Sequence, residues 1–93
     1  MMKVRVRVFG DAAEVLGGKH VLEVEEGATV GAVLREVQRR AGAPRPGFVG
    51  SFRLGGPDMA VIVNGVNSSL LQGLETVLKD GDEVVVMPYV VGG

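Results

Sequence analysis

The apolar run from Val84 to Met87 constrains the fold of this 93-residue chain more than any other feature. Consecutive apolar residues in a short segment bounded by turn signals are typical of a strand that is buried on both faces, and such a strand lies inside a sheet. The residues from Lys79 to Asp82 form a predicted tight turn before the run. Pro88 ends the run, because proline has no amide hydrogen to donate to a neighbouring strand. The sequence therefore predicts a sheet whose last strand is central.

Three earlier segments also have the patterns of strands. Met2 to Phe9 and His20 to Glu25 alternate apolar with polar residues, which is the period of a half-buried strand. A hairpin between them would place the acidic side chains of the second strand beside Arg5 and Arg7. Ala60 to Val63 is a further continuous apolar run, and we expect it to be buried on both faces.

The main helix is predicted to begin after Thr29, a residue type that commonly caps helix N-termini. Gly42 ends the pattern, and Glu36 is placed to pair with Arg40 one turn later. A shorter helical turn is predicted earlier in the chain, with Asp11 as its cap residue. The apolar residues that recur at helical spacing in the main helix are Val30, Val33, Leu34, Val37 and Ala41.

These elements predict one α+β domain over residues 1–93, a roll in which one main helix packs across a mixed sheet of four to five strands. A parallel pairing of the first and last strands would use the helix as its right-handed crossover. The segment from Ala43 to Pro57 is rich in proline and glycine, carries Phe48 and Phe52, and is predicted to be an irregular connection. The last residues, 89–93, are predicted to form a flexible tail.

Composition narrows the classes of function. The formal net charge of −1 gives no global positive field, which argues against nucleic acid and anionic membranes as partners. Cysteine is absent, which excludes disulfides, thiolate metal ligands and a cysteine nucleophile, and favours a reducing, cytoplasmic location. The single histidine, His20, has no obvious partner at ligand spacing, so we expect no metal site. No apolar run approaches the roughly 18 residues that span a bilayer.

A set of short motifs is distributed over nearly the whole chain. They are Lys3 to Phe9, Ala13-Glu14 with Gly17, Thr29-Val30 before Val33-Leu34, Val61 to Gly65, Leu78 to Val84, Pro88 and Gly92-Gly93. Together they resemble the MoaD/ThiS family of ubiquitin-like sulfur carriers, and the turn before the last strand, the proline and the terminal diglycine are the specific part. The resemblance implies a β-grasp (ubiquitin-like) fold for the domain predicted above.

The ending of the chain distinguishes among members of that family. The segment from Met87 to Gly93 is more similar to the small subunit of molybdopterin synthase than to the thiamine sulfur carrier. Tyr89 departs from that subunit, which has a second proline at this position. The long segment from Ala43 to Pro57 resembles instead archaeal small modifier proteins and a sulfur carrier of cysteine synthesis. The resemblance therefore leaves the pathway open.

The resemblance also implies a chemistry for the last residue. A ubiquitin-activating-type enzyme would use ATP and magnesium to adenylate the Gly93 carboxylate, and a sulfur donor would then convert it to a thiocarboxylate. Glycine suits this end of the chain, because Gly92 and Gly93 lack a Cβ, can pass through a narrow channel and leave the carbonyl open to attack. The ATP site would belong to the partner. The chain itself is expected to bind no cofactor and to act as a cosubstrate, or as the non-catalytic small subunit of a sulfurtransferase.

Two groups of residues are predicted to bind partner proteins, which the resemblance implies to be the activating enzyme and the large subunit of molybdopterin synthase. One group is the segment that leads to the diglycine, and the other is the apolar sheet surface near it. Together they are Phe9, Met87, Pro88, Tyr89, Val90 and Val91. Val61 and Val63 are expected to lie with Val85 and Met87 on the sheet face opposite the helix. The sequence leaves open whether the aromatic residues of the long connection cover that face.

Other functions fit the same features. The activated Gly93 acyl group could be joined to lysines of target proteins, which would make the chain a ubiquitin-like modifier. Sulfur could instead be destined for thiamine, cysteine or tRNA thiolation. A plain interaction domain with inert terminal glycines is a third alternative, and deletion of Gly93 would leave such a domain functional.

Overall fold

The computed structural model describes residues 1–42, 48–49, 52–53, 56 and 58–88, and it describes only the backbone of Phe48, Val49 and Phe52. The elements within these residues are β1 (Met2–Val8), α1 (Asp11–Leu16), β2 (Lys19–Val24), α2 (Val30–Ala41), β3 (Phe48–Val49), β4 (Phe52–Arg53), β5 (Met59–Val63), β6 (Val66–Asn67), two short 3₁₀ helices (Ser68–Leu70 and Gly73–Glu75) and β7 (Glu83–Pro88). Their mixture of one main helix with a sheet is the α+β class that the sequence predicts.

Five of the described strands form one mixed sheet in the order β2-β1-β7-β5-β6, and β3 and β4 form a separate two-stranded ribbon. β1 and β7 run parallel to each other, whereas the other neighbouring pairs are antiparallel. β7 is therefore the central strand, as its apolar run predicts. Helix α2 lies in the connection between the parallel strands β1 and β7, which is where a crossover helix is required.

Helix α2 begins and ends as predicted. The Thr29 side-chain oxygen accepts a hydrogen bond from the amide of Ala32 at 3.2 Å, and Gly42 adopts the left-handed conformation with a φ of 67°. Apolar side chains on one face of α2 join the core together with the inward side chains of the sheet. Those of α2 are Val30, Val33, Leu34 and Val37.

The placement of two β5 residues differs from the prediction. Val61 and Val63 face α2, not the opposite side, because they lie opposite Val86 and Val84, which are both buried in the core under the helix. A continuous apolar run has no alternation from which its inward face could be read. The register with β7 decides the question, and Val85 remains on the face away from α2.

Two further expectations are corrected by the structure. Glu23 lies opposite Lys3, and Arg7 lies opposite Lys19, so the hairpin does not set the acidic side chains directly beside the arginines. The length of the connection between β1 and β2 sets this register, not the charges. Asp11 is the first residue of α1 and not its cap, and no side chain caps that helix.

The turn before β7 is tied to two other parts of the sheet. Asp80 Oδ1 accepts a hydrogen bond from the amide of Lys3 at 2.8 Å. Asp82 accepts one from the amide of Lys79 at 2.7 Å and another from the Asn64 side chain at 2.9 Å. These bonds hold the N-terminal end of β7 in place, so the turn from Lys79 to Asp82 has a structural role.

We expect Asp82→Ala to lower the free energy of unfolding by roughly 1–2 kcal/mol, because the Lys79 amide and the Asn64 side chain each lose an acceptor. Asp58→Ala is the matched control, since Asp58 is exposed and removes the same charge. Urea denaturation of both variants measures the difference. Equal losses in the two variants would show that the turn contributes nothing beyond its charge.

Candidate functional site

The candidate site is built around the C-terminal end of the central strand. Met87 and Pro88 are the last two residues of β7, and both are half-buried. Ala60 lies opposite Met87 and Met59 lies opposite Pro88, so β5 holds this end of the strand on one side. The predicted site residues Tyr89, Val90, Val91, Gly92 and Gly93 lie outside the described residues.

Gly10 closes the other side of this strand end. A Cβ at Gly10 would lie 3.1 Å from Cδ and 3.2 Å from Cγ of Pro88, which is tighter than ordinary van der Waals contact. Gly10 also has a φ of 68°, which a residue with a side chain rarely adopts. Glycine is therefore required at this position for two reasons, the positive φ of the backbone and the closeness of the Pro88 ring.

Phe9 lies next to the same strand end. Its amide donates a hydrogen bond to the Val86 carbonyl at 2.9 Å, and this continues the parallel register and places Phe9 alongside Met87. The Phe9 side chain is 42% exposed, and the Arg7 guanidinium lies 5.1 Å from the centre of its ring. The structure thus brings together Phe9, Met87 and Pro88, the three predicted partner-binding residues that it describes.

These residues border the open sheet face, by which we mean the outward side chains of β1, β2, β5 and β7 that point away from α2. They include Arg5, Arg7, Lys19, Val21, Ile62, Val85 and Met87. Part of this face forms a shallow depression of about 430 Å³ over β1 and β2. The sequence leaves open whether Phe48 and Phe52 cover this face, and their side chains lie outside the described residues.

The carboxylate with a clearly lowered pKa, that of Glu36, lies on α2 and not at the end of β7. A hydrogen bond from the Arg39 guanidinium lowers the pKa of Glu36 to about 2, and the bond from Arg40 acts in the same direction. This carboxylate belongs to an exposed ion-pair cluster on α2. The His20 ring donates a hydrogen bond from Nε2 to the Leu16 carbonyl at 2.7 Å, which ties β2 to α1. Among the described residues, no group of His, Cys, Asp and Glu could hold a metal ion.

None of the helices in the described ranges is long and apolar enough to cross a membrane.

The sheet order, the helix across it and the central last strand define a ubiquitin-like β-grasp protein. Residues 6–93 match the ThiS family, and this chain belongs to that family. Small archaeal modifier protein 3 of Haloferax volcanii is 38% identical over 96 residues, which cover 99% of this chain and 100% of the relative.

Solved structures agree with this assignment. One chain in the crystal structure of the BexX/CysO complex from Amycolatopsis orientalis is 30% identical, with a TM-score of 0.72 over 97% of this chain and 99% of that one. A putative molybdopterin converting factor, subunit 1, from Pyrococcus furiosus is 27% identical, with a TM-score of 0.71 over 97% of this chain and 100% of that one. The family thus includes sulfur carriers and protein modifiers with the same fold.

Sequence reasoning missed two features of this site. Gly10 follows directly after the first predicted strand, and a glycine at that point could have indicated a close approach of another segment. Arg7 and Lys19 lie opposite each other because of the β1–β2 register. The sequence does not indicate this, since each residue fits the polar, solvent-facing side of an alternating strand.

Proposed function

We propose that this chain carries sulfur as a thiocarboxylate on Gly93, after a ubiquitin-activating-type enzyme has adenylated the carboxylate with ATP and magnesium. The observation that carries the proposal is the anchored end of β7. Pro88 is packed against Gly10 and paired with β5, so the segment that follows it starts from a fixed point. Five residues follow Pro88 in the sequence, and an extended chain of that length spans at most about 18 Å.

The proposed chemistry needs no catalytic group from this chain. A carboxylate is a poor acyl donor, and ATP converts it to a mixed anhydride with AMP as leaving group and pyrophosphate as the second product. Sulfide then attacks the carbonyl carbon, the bond to AMP breaks, and no atom changes oxidation state. Because the chain has no cysteine, Gly93 would be its sole sulfur site. The fold supplies position, and the partner supplies the reacting groups.

We further propose molybdopterin as the destination of the sulfur, with this chain as the small subunit of molybdopterin synthase in the cytoplasm. The ending from Met87 to Gly93 supports this destination, as does the similarity to the Pyrococcus furiosus protein named above. The large subunit of that synthase would then be a second partner. Thiamine, cysteine and tRNA thiolation are the alternative destinations, and the similarity to a chain of the BexX/CysO complex supports a destination outside molybdopterin.

A second candidate function is covalent modification of proteins. It is supported by the end-to-end similarity to small archaeal modifier protein 3, which has the highest full-length identity among the relatives named above. A lysine amine would attack the same Gly93 acyl group that sulfide attacks, so both functions start from one adenylate. Tryptic digests of proteins from the native host would then contain lysines branched with C-terminal residues of this chain. Their complete absence would remove this candidate.

The test of sulfur carriage is incubation of the chain with its cognate activating enzyme, ATP, magnesium and a sulfide source. We expect the intact mass to rise by the difference between one sulfur and one oxygen atom, because only the terminal carboxylate exchanges. The control omits ATP and should show no change. An unchanged mass in the complete mixture, with the enzyme active towards ATP, would contradict the proposal.

A further inference from the structure

We propose that the open sheet face binds acidic side chains of the activating enzyme, and that Arg7 and Lys19 are the cations that pair with them. This inference rests on the proposed function, because it names the chemistry of the partner that engages the same end of the molecule. It concerns the recognition of that partner and not the acyl chemistry at Gly93.

The first observation is a pair of like charges in an unfavourable position. Arg7 and Lys19 lie directly opposite each other across β1 and β2, and both are exposed. Like charges at directly opposite positions destabilise an antiparallel pair. Natural proteins tend to break such local rules at functional sites.

The neighbouring charges on the same face are compensated, whereas this pair is not. Lys3 lies opposite Glu23, and Arg5 lies beside Glu83 on the parallel strand β7. In the described strands, the residues in register with Arg7 on β7 and β5 are Val85 and Ile62. Both are apolar, so neither supplies a carboxylate to the pair. An external carboxylate placed over this row would therefore meet two unmatched cations.

The position of the pair connects it to the end of β7. Arg7 lies beside Val85, one row from Phe9 and Met87, and its guanidinium lies over the Phe9 ring. Val21, which is 58% exposed, adds apolar surface next to it in the depression over β1 and β2. A partner that contacts Phe9 and Met87 on this face would also reach the pair, and apolar contacts around the cations would exclude water and strengthen their ion pairs.

The charge distribution favours an acidic protein over a nucleic acid. The chain has a net charge of −1, so it has no overall field that would attract a polyanion. Glu83 also lines the same depression as the cations. A continuous phosphate backbone would meet that carboxylate, whereas a protein surface with a few acidic side chains can avoid it.

The test compares Arg7→Glu with Arg35→Glu, which makes the same charge change at an exposed position on α2. AMP release by the cognate activating enzyme, in the presence of ATP, magnesium and a sulfide source, is measured against the concentration of each chain, at low and at physiological salt. We expect Arg7→Glu to raise the half-saturating concentration about tenfold at low salt, to reduce its dependence on salt, and to leave the maximal rate within about twofold. Arg35→Glu should match the parent chain.

A thermal melt separates this role from a structural one. The introduced glutamate would gain Lys19 as an opposite charge and lose the contact of Arg7 with the Phe9 ring, so Arg7→Glu should melt close to the parent chain even as it binds the enzyme more weakly. A half-saturating concentration equal to that of the parent, or equally raised in Arg35→Glu, would overturn the inference.

Binding of a single-stranded RNA oligomer that is lost in Arg7→Glu, with AMP release unchanged, would assign the face to nucleic acid. If the parent chain itself yields no AMP, the proposed function fails and this inference fails with it.

Discussion

Deletion of Gly93 is expected to abolish formation of the thiocarboxylate and to leave the free energy of unfolding within about 0.5 kcal/mol of the parent chain. The reason is that the buried core in the described residues extends from Met2 to Val86, and the last strand ends at Pro88. Removal of a residue beyond that point takes away the proposed acyl group and none of these contacts. Intact mass after incubation with the activating enzyme, and urea denaturation, measure the two quantities.

A companion variant, Gly93→Ala, tests whether the reacting carbon must be unhindered, without a change in chain length. It keeps the terminal carboxylate in register but adds a Cβ beside the reacting carbon, and we expect the rate of activation to fall about 100-fold. Sulfur gain by the chain that lacks Gly93 would contradict the account. So would a loss of stability comparable to that of a core mutation, because it would give the diglycine a structural role.

Gly10→Val is expected to lower the free energy of unfolding by about 2–4 kcal/mol, the largest stability effect that we predict. Gly27→Val is the matched control and should lower it by about 1–2 kcal/mol. Both glycines have positive φ values, 68° and 85°, but nothing lies within 4 Å of a Cβ at Gly27. The difference between the two variants, measured by urea denaturation, therefore reports the contact with Pro88 together with the added backbone strain at Gly10, whose ψ of −153° suits glycine alone.

The same pair of variants also tests the anchoring of β7. If the contact between Gly10 and Pro88 positions the segment that enters the partner, Gly10→Val should activate more slowly than Gly27→Val at a temperature where both are folded. Equal stabilities would show that Pro88 yields to the added side chain without cost. Equal activation rates would show that this contact does not position the segment.

The fold could be predicted where the residue pattern of a single segment shows which of its side chains face the core or where the element ends. The alternation of β1 assigns each side chain to a face, and the caps Thr29 and Gly42 mark both ends of α2 without reference to the rest of the molecule. The run from Val84 to Met87 predicts a central strand because burial on both faces requires neighbours on both sides. These features depend on local sequence alone.

The errors concern relations between segments. The prediction that Val61 and Val63 face away from the helix is wrong, because an apolar run of four residues does not show which side chains point inward. Only the pairing with β7 decides this. The partner of Glu23 depends on the β1–β2 register, which the hairpin connection determines. The same limit explains Gly10, since its contact with Pro88 arises from the parallel register of two strands far apart in sequence.

The candidate site was predictable in its residues and less so in its arrangement. The sequence predicts Phe9, Met87 and Pro88 as site residues, and the structure brings them together at the end of β7. Their role in binding a partner stays a prediction, as do the roles of Gly92 and Gly93. The basic pair on the open sheet face emerges only from the structure.

The most direct test of the account locates the sulfur atom within the chain. After incubation with the activating enzyme, ATP and sulfide, the intact protein is fragmented in the mass spectrometer, and the fragments are read from both ends. The account predicts that the exchange of oxygen for sulfur appears only in fragments that contain Gly93. Sulfur at any other residue, or a native protein that continues past Gly93, would contradict it.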